Sequence, residues 1–212
     1  MDPEEARAKL DAARLYLVTD GRDGGDELRA FLDAVLGGGV DLLQLREKVL
    51  EAGPILERAA IFREMCDRYG VPFIVNDRAD LAVAAGADGV HLGQDDLPIE
   101  AARHIIGRSW LVGRSTHEPE QVRRAEHEDV DYVAVGPVHE TPTKPGRPAA
   151  GLDLLPVAAE SLSKPWFAIG GIDTSNLAAV RAAGAKRVVV VRAITEARDP
   201  VAAVKELRSA LD

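Results

Sequence analysis

Cysteine is all but missing from this 212-residue chain, and Cys66 stands alone. An intramolecular disulfide is excluded, and a reducing, cytoplasmic setting is the expected placement. Cys66 falls in the helical pattern Ile61, Phe62, Met65, Cys66, where a lone thiol reads as a small core hydrophobe. Aromatic residues are scarce at 4%, although hydrophobic residues reach 46%. The apolar mass is therefore Ala, Val, Leu and Ile, the composition of helices packed on a buried parallel sheet. Long apolar runs are absent too: none approaches the ~20 residues that span a bilayer, so no membrane partner is expected. The opening Met1-Asp2-Pro3-Glu4-Glu5-Ala6 has a capping Asp, a first-turn Pro and two acids at a positive helix end. It predicts a short helix rather than a signal peptide. Excess positive charge is also lacking. A net charge of -9 argues against nucleic acid as the partner, so any anion site must be local. No Walker loop, dinucleotide fingerprint or Gly-x-Ser-x-Gly is present. The five histidines show no metal-ligand spacing; His91 is expected inside the fold and the others at the surface.

What is present is a rhythm of short apolar strands alternating with helices. After the leading helix, strands are predicted at 15–19, 40–48, 71–76, 89–92, 110–115, 132–136, 166–169 and 188–191. Helices are predicted between them at about 26–36, 53–69, 80–85, 99–106, 119–126, 154–161 and 175–183, with a last one at 200–211. Eight such units without a compositional break predict one α/β domain over residues 1–212, a (β/α)8 TIM barrel with a short N-terminal helix. Gly38-Gly39, Gly86 and Gly184 each stand between a helix and the next strand, where glycine can cap the helix in a left-handed conformation. They mark the stabilising end of the barrel. The opposite end, where barrel sites are built, gathers nearly all the unusual polar residues.

Foremost is Gln44-Leu45-Arg46-Glu47-Lys48. On an extended strand Gln44, Arg46 and Lys48 share a face and offer an amide and two cations, an anion cradle. Asp77 and Asp96 follow the third and fourth strands. Either alone reads as a helix cap; two on adjacent strands beside a cationic cradle predict a Mg2+ site bridging to phosphate. Gly170-Gly171, after the seventh strand, reads either as a tight turn or as backbone N–H groups for a second phosphate. Residues 137–151 form a long loop with four prolines, and its Lys144 reads either as a surface charge or as part of a closing lid. These residues predict a ligand with a metal-bound diphosphate on one side and a second phosphate on the other.

The motifs Gln44-Leu45-Arg46-Glu47-Lys48, Val75-Asn76-Asp77, His91-Leu92-Gly93-Gln94-Asp95-Asp96, Gly136-Pro137-Val138 with Thr141-Pro142-Thr143-Lys144, and Ala168-Ile169-Gly170-Gly171-Ile172 together resemble the thiamine-phosphate synthase family. The resemblance runs from about Leu15 to the last helix. It implies a transferase of thiamine biosynthesis, a TIM barrel that joins hydroxymethylpyrimidine diphosphate to thiazole phosphate, forming thiamine phosphate and diphosphate. By the same resemblance, Gln44 to Lys48, Asn76, Ser115 and Lys144 hold the pyrimidine diphosphate, with Arg46, Lys48 and Lys144 as catalytic cations. Asp77 and Asp96 bind Mg2+, while Thr141, Pro142, Thr143, Gly171, Val191 and Arg192 hold the thiazole phosphate. Arg192 departs from the small Ser of many relatives, and its guanidinium either strengthens phosphate binding or turns outward. Two rivals stay open: a thiazole tautomerase-like isomerase, and a non-catalytic barrel that binds phosphate ligands. The expected partners are small-molecule substrates, with no nucleic acid and no membrane. A homodimer is left open.

Overall fold

The strand segments alternate between two apolar destinations, and this alternation builds the architecture. In the computed structural model, which describes residues 1–141 and 149–212, Leu15 and Leu17 of the first strand pack in the cluster shared with the helices. Tyr16 and Val18, one residue out of phase, join a separate cluster inside the sheet. A strand buried on both faces in this way belongs to a closed parallel barrel.

The described chain runs α1 (Pro3–Ala12), β1 (Leu15–Thr19), α2 (Gly25–Gly38), β2 (Leu42–Leu45), α3 (Ala52–Tyr69), β3 (Phe73–Asn76), α4 (Ala79–Ala84), β4 (Gly89–Leu92) and α5 (Ile99–Ile106). It continues with β5 (Leu111–Thr116), α6 (Pro119–Ala125), β6 (Tyr132–Val135), α7 (Leu154–Ser161), β7 (Trp166–Ile169), α8 (Leu177–Ala182), β8 (Val188–Val190), α9 (Arg192–Thr195) and α10 (Pro200–Leu211). The eight strands pair in sequence order and close on themselves, every pair parallel. The TIM barrel expected from the sequence is the fold observed.

The interior is filled in layers. Register places Tyr16 beside Leu42 and Val189, and Gly113 between His91 and Tyr132. At the N-terminal end, Ala6, Leu10 and Ala13 of and after α1 pack onto Tyr16, Leu111, Tyr132 and Phe167, sealing the floor. The α1 cap is as predicted: the Asp2 carboxylate accepts from the Glu4 amide at 2.9 Å. Gly39, Gly86 and Gly184 adopt φ of 109°, 60° and 107°, the left-handed helix ends read from the sequence. Gly38 itself lies within α2. Among the described residues no helix is long and apolar enough to cross a membrane.

Two local expectations are corrected. The second strand stops at Leu45, not at Lys48. The Arg46 amide still bonds the Thr19 carbonyl at 2.8 Å, but the chain then bends through 48–50 towards α3. After β8 the chain forms α9 rather than a loop; so short a turn carries no periodic signal.

Candidate active site

The C-terminal strand ends surround a cavity of about 730 Å³ that reaches Tyr16 at its inner end and Thr141 and Arg192 towards its rim. Gln44, Arg46 and Lys48 all line it, so the cradle forms even though only Gln44 is on the strand. Alternation survives past the strand end for these three. Leu45 turns outward into the helix layer, and Glu47 accepts the Gly21 amide at 2.6 Å.

Asp77 shows why a capping role does not fit. The residue flanking α4 is Arg78, without a side-chain cap, and Asp77 holds φ of 62°, a left-handed conformation that L residues adopt at a cost. Its amide bonds the His91 carbonyl at 2.8 Å, and its carboxylate pairs with the Lys48 ammonium. Burial, and then the neighbouring Asp96 carboxyl, push the Asp77 carboxyl above its ordinary range, against the pull of Lys48. Asp96 in turn accepts the Gly93 amide at 2.7 Å. Two carboxyl groups forced together at the end of a barrel offer oxygen donors only, a donor set of the kind that suits a hard cation.

Neighbouring groups face the same space. The amide nitrogen Nδ2 of Asn76 is buried without a partner among the described residues, an orphan donor of the kind a bound acceptor satisfies. Ser115 Oγ stands 2.8 Å from His91 Nε2. Across the cavity, Gly170 and Gly171 have φ of 111° and 61°. A side chain on Gly170 would meet Pro137 at 2.5 Å, and one on Gly171 would meet His139 at 2.8 Å, so the backbone comes close to the cavity only because both are glycine. Val191 and Arg192 stand beside them on the wall. Arg192 is half-exposed and lies 3.7 Å from Glu196 one turn on, between the main cavity and an adjoining one of about 580 Å³. Thr141 lines the main cavity, while Pro142, Thr143 and Lys144 lie outside the described residues.

Sequence reasoning missed two features of the site. His117, expected at the surface, lines the cavity and bonds the Gly136 carbonyl at 2.5 Å. Tyr16 and Tyr132, read only as strand residues, are buried polar groups joined at 2.9 Å. Their inward register is the signal that locates them: the strand period puts Tyr16 on the face of Val18, and Tyr132 on that of Ala134.

The model of the family described as thiamine monophosphate synthase matches residues 15–194. The chain is 56% identical over 210 residues to thiamine-phosphate synthase of Thermobifida fusca, covering 98% of this chain and 96% of that protein. It is 55% identical over 213 residues to the enzyme of that name from Mycolicibacterium smegmatis, covering 96% and 94%. Among solved structures, thiamine phosphate pyrophosphorylase from Pyrococcus furiosus superposes with a TM-score of 0.85 at 33% identity, covering 97% of this chain and 96% of that one. A 3-hexulose-6-phosphate synthase structure, at 22% identity and TM-score 0.66, shares the barrel. With the barrel, the paired aspartates and the glycine pair all in place, the chain belongs to the thiamine monophosphate synthase family of transferases.

Proposed function

We propose that this single-domain barrel is a thiamine-phosphate synthase, joining hydroxymethylpyrimidine diphosphate to thiazole phosphate with release of diphosphate. The observation that carries the reading is the pairing of Asp77 with Asp96 and Lys48 across the cavity from Gly170 and Gly171. One side suits a metal-bound diphosphate and the other a phosphate monoester. A tautomerase acting on one phosphate ester would have no use for the first, and no observation favours it.

In this reading Arg46 and Lys48 bind the diphosphate oxygens and stabilise the charge that builds on them as the bond to the pyrimidine methylene breaks. Asn76 and Ser115 supply neutral donors to the same substrate. Asp77 and Asp96 would hold Mg2+, which when bound neutralises part of the leaving group's negative charge. The backbone N–H groups at Gly170 and Gly171, with Val191 and Arg192 beside them, hold the thiazole phosphate. As the sequence resemblance implies, Thr141, Pro142 and Thr143 complete that end, while Lys144 joins Arg46 and Lys48 on the diphosphate. Val18, Ile169 and Val189, all lining the cavity, give the two heterocycles an apolar wall that keeps water from the cation-like methylene. Attack by the thiazole nitrogen then closes the reaction without a covalent enzyme intermediate. The same reading places the enzyme in the cytoplasm, which suits its one free and buried thiol.

The test is to supply both substrates with Mg2+, and again with EDTA, and to follow diphosphate and thiamine phosphate together. Equal, metal-dependent yields are expected. Tight binding of both compounds without either product would overturn the synthase reading in favour of a binding protein.

A further inference from the structure

Beneath the cavity lies a chain of hydrogen bonds that the proposed chemistry does not use. Gln44 Nε2 donates to Tyr16 Oη at 2.5 Å. Tyr16 Oη lies 2.9 Å from Tyr132 Oη, which lies 3.1 Å from His91 Nδ1. His91 Nε2 lies 2.8 Å from Ser115 Oγ. The two ends, Gln44 and Ser115, line the cavity; Tyr132 is fully buried below it.

The donor inventory gives this chain a direction. A hydroxyl has one hydrogen and a neutral imidazole has one. With Gln44 donating to Tyr16, the Tyr16 hydrogen has Tyr132 Oη as its acceptor in this chain, and giving every buried hydroxyl hydrogen an acceptor then sends the Tyr132 hydrogen to His91 Nδ1. Nδ1 is then an acceptor, so the imidazole hydrogen sits on Nε2 and goes to Ser115 Oγ. The Ser115 hydrogen is the only one without an assigned acceptor in the chain, and its oxygen faces the cavity. Burial pushes both phenols well above their ordinary pKa, so neither loses its hydrogen near neutral pH.

A serine hydrogen-bonded to a histidine is also the signature of an activated nucleophile. Here that role is closed. A base must present a lone pair to the serine, and the lone pair of His91 is on the other nitrogen, occupied by Tyr132.

Resting on the synthase reading, we infer that Tyr132 is a positioning residue. Acting through His91, it fixes the Ser115 hydroxyl as a hydrogen-bond donor to an acceptor atom of the bound pyrimidine diphosphate. Gly113 makes the connection sterically feasible: a side chain there would collide with the Tyr132 ring and stand 2.5 Å from His91 Nδ1.

The test is a double-mutant cycle read by calorimetric binding of the pyrimidine diphosphate with Mg2+, together with steady-state turnover. Removing the Tyr132 hydroxyl in Tyr132→Phe frees His91 to take either tautomer, so Ser115 can donate to it instead of to the ligand. Both Tyr132→Phe and Ser115→Ala are expected to weaken binding about five- to tenfold, the size of one net hydrogen bond. The double variant should be no weaker than Ser115→Ala alone, and KM for the thiazole phosphate should not move. Nitrogen-15 spectra should show one His91 tautomer in the wild type, protonated at Nε2, and a mixture in Tyr132→Phe. A role in packing alone predicts the opposite: losses that multiply and an unchanged tautomer, and that result overturns the inference. If Tyr132→Phe does not fold, the wild-type nitrogen-15 spectrum decides alone: His91 protonated at Nε2 is expected, and protonation at Nδ1 overturns the inference. A wild type that binds the pyrimidine diphosphate without turnover refutes the synthase reading alone, and the binding cycle still decides this one. A wild type that does not bind it overturns both.

Discussion

Gly113→Ala adds one methyl group at the most crowded point of the barrel. The new carbon would collide with Cζ and Oη of Tyr132 and stand 2.5 Å from His91 Nδ1, and neither ring can withdraw. Tyr132 is fully buried and Tyr16 and Phe167 pack edge-on against it, while His91 stacks on its face at 5.5 Å. Overpacking a rigid core costs about 1–3 kcal/mol. Pushing the rings apart also breaks the bond between Tyr132 and His91, and leaving those groups unpaired costs about 1–3 kcal/mol more. Against this, alanine lowers the unfolded chain's entropy and returns about 0.5–1 kcal/mol. A net loss of about 3 kcal/mol should lower Tm by about 6–12 °C for a chain of this size. Thermal and urea unfolding of the wild type and variant measure it directly. Replacing the ring as well, in Gly113→Ala with Tyr132→Val, should cost less than the two single variants added together, a coupling that shows the clash is local. A Tm within ~2 °C of wild type for the single variant would refute the reasoning, since it would mean that the interior yields where it is drawn tightest.

Other predictions concern the site and the surface. Asp77→Asn keeps the left-handed backbone, which Asn tolerates, and should fold normally but lose about 100- to 1000-fold in turnover; wild-type rates at low Mg2+ would rule out a metal role for this carboxylate. Lys48→Met should keep the aliphatic stem yet lower kcat far more than thiazole phosphate affinity, measured by steady-state kinetics with each substrate varied. Glu126 accepts the Ser163 hydroxyl and amide at 2.5 and 3.0 Å, and these bonds, the hydroxyl first, hold its carboxyl below the usual range. Its contribution to stability is therefore present above an unfolded value of about 4.3 and lost as pH falls through the lower folded value. The stability gap between wild type and Glu126→Gln should accordingly shrink as urea melts are moved from neutral pH to below about pH 4.

The barrel was legible because each strand carries apolar residues on both faces, and the helix ends are punctuated by glycines at 39, 86 and 184 whose φ values are positive. Arg46 and Lys48 were expected to share a face with Gln44, and all three line the cavity, though for a partly different reason. Their alternation was read from a strand that ends at Leu45, and the bend beyond it preserves their direction. Asp77 was ambiguous from sequence, because a cap and a metal ligand look alike before an α-helix; α4 is flanked by Arg78 instead, which removes the cap, and the neighbouring Asp96 is what supports the metal reading. The chain from Tyr16 to Ser115 could not be read in advance. Its members come from β1, β4, β5 and β6, and only closure of the barrel brings phenols 116 residues apart to 2.9 Å. Gly113 left the clearest trace, since a glycine inside a strand marks a close approach.

The plug that α1 forms across the barrel floor closes the end opposite the site with Ala6, Leu10 and Ala13. Ligands therefore reach the polar layer above Tyr132 from the side of the strand C-termini, where both anion-binding walls stand. One short helix, far from any reacting atom, thus gives arrival and departure a common face.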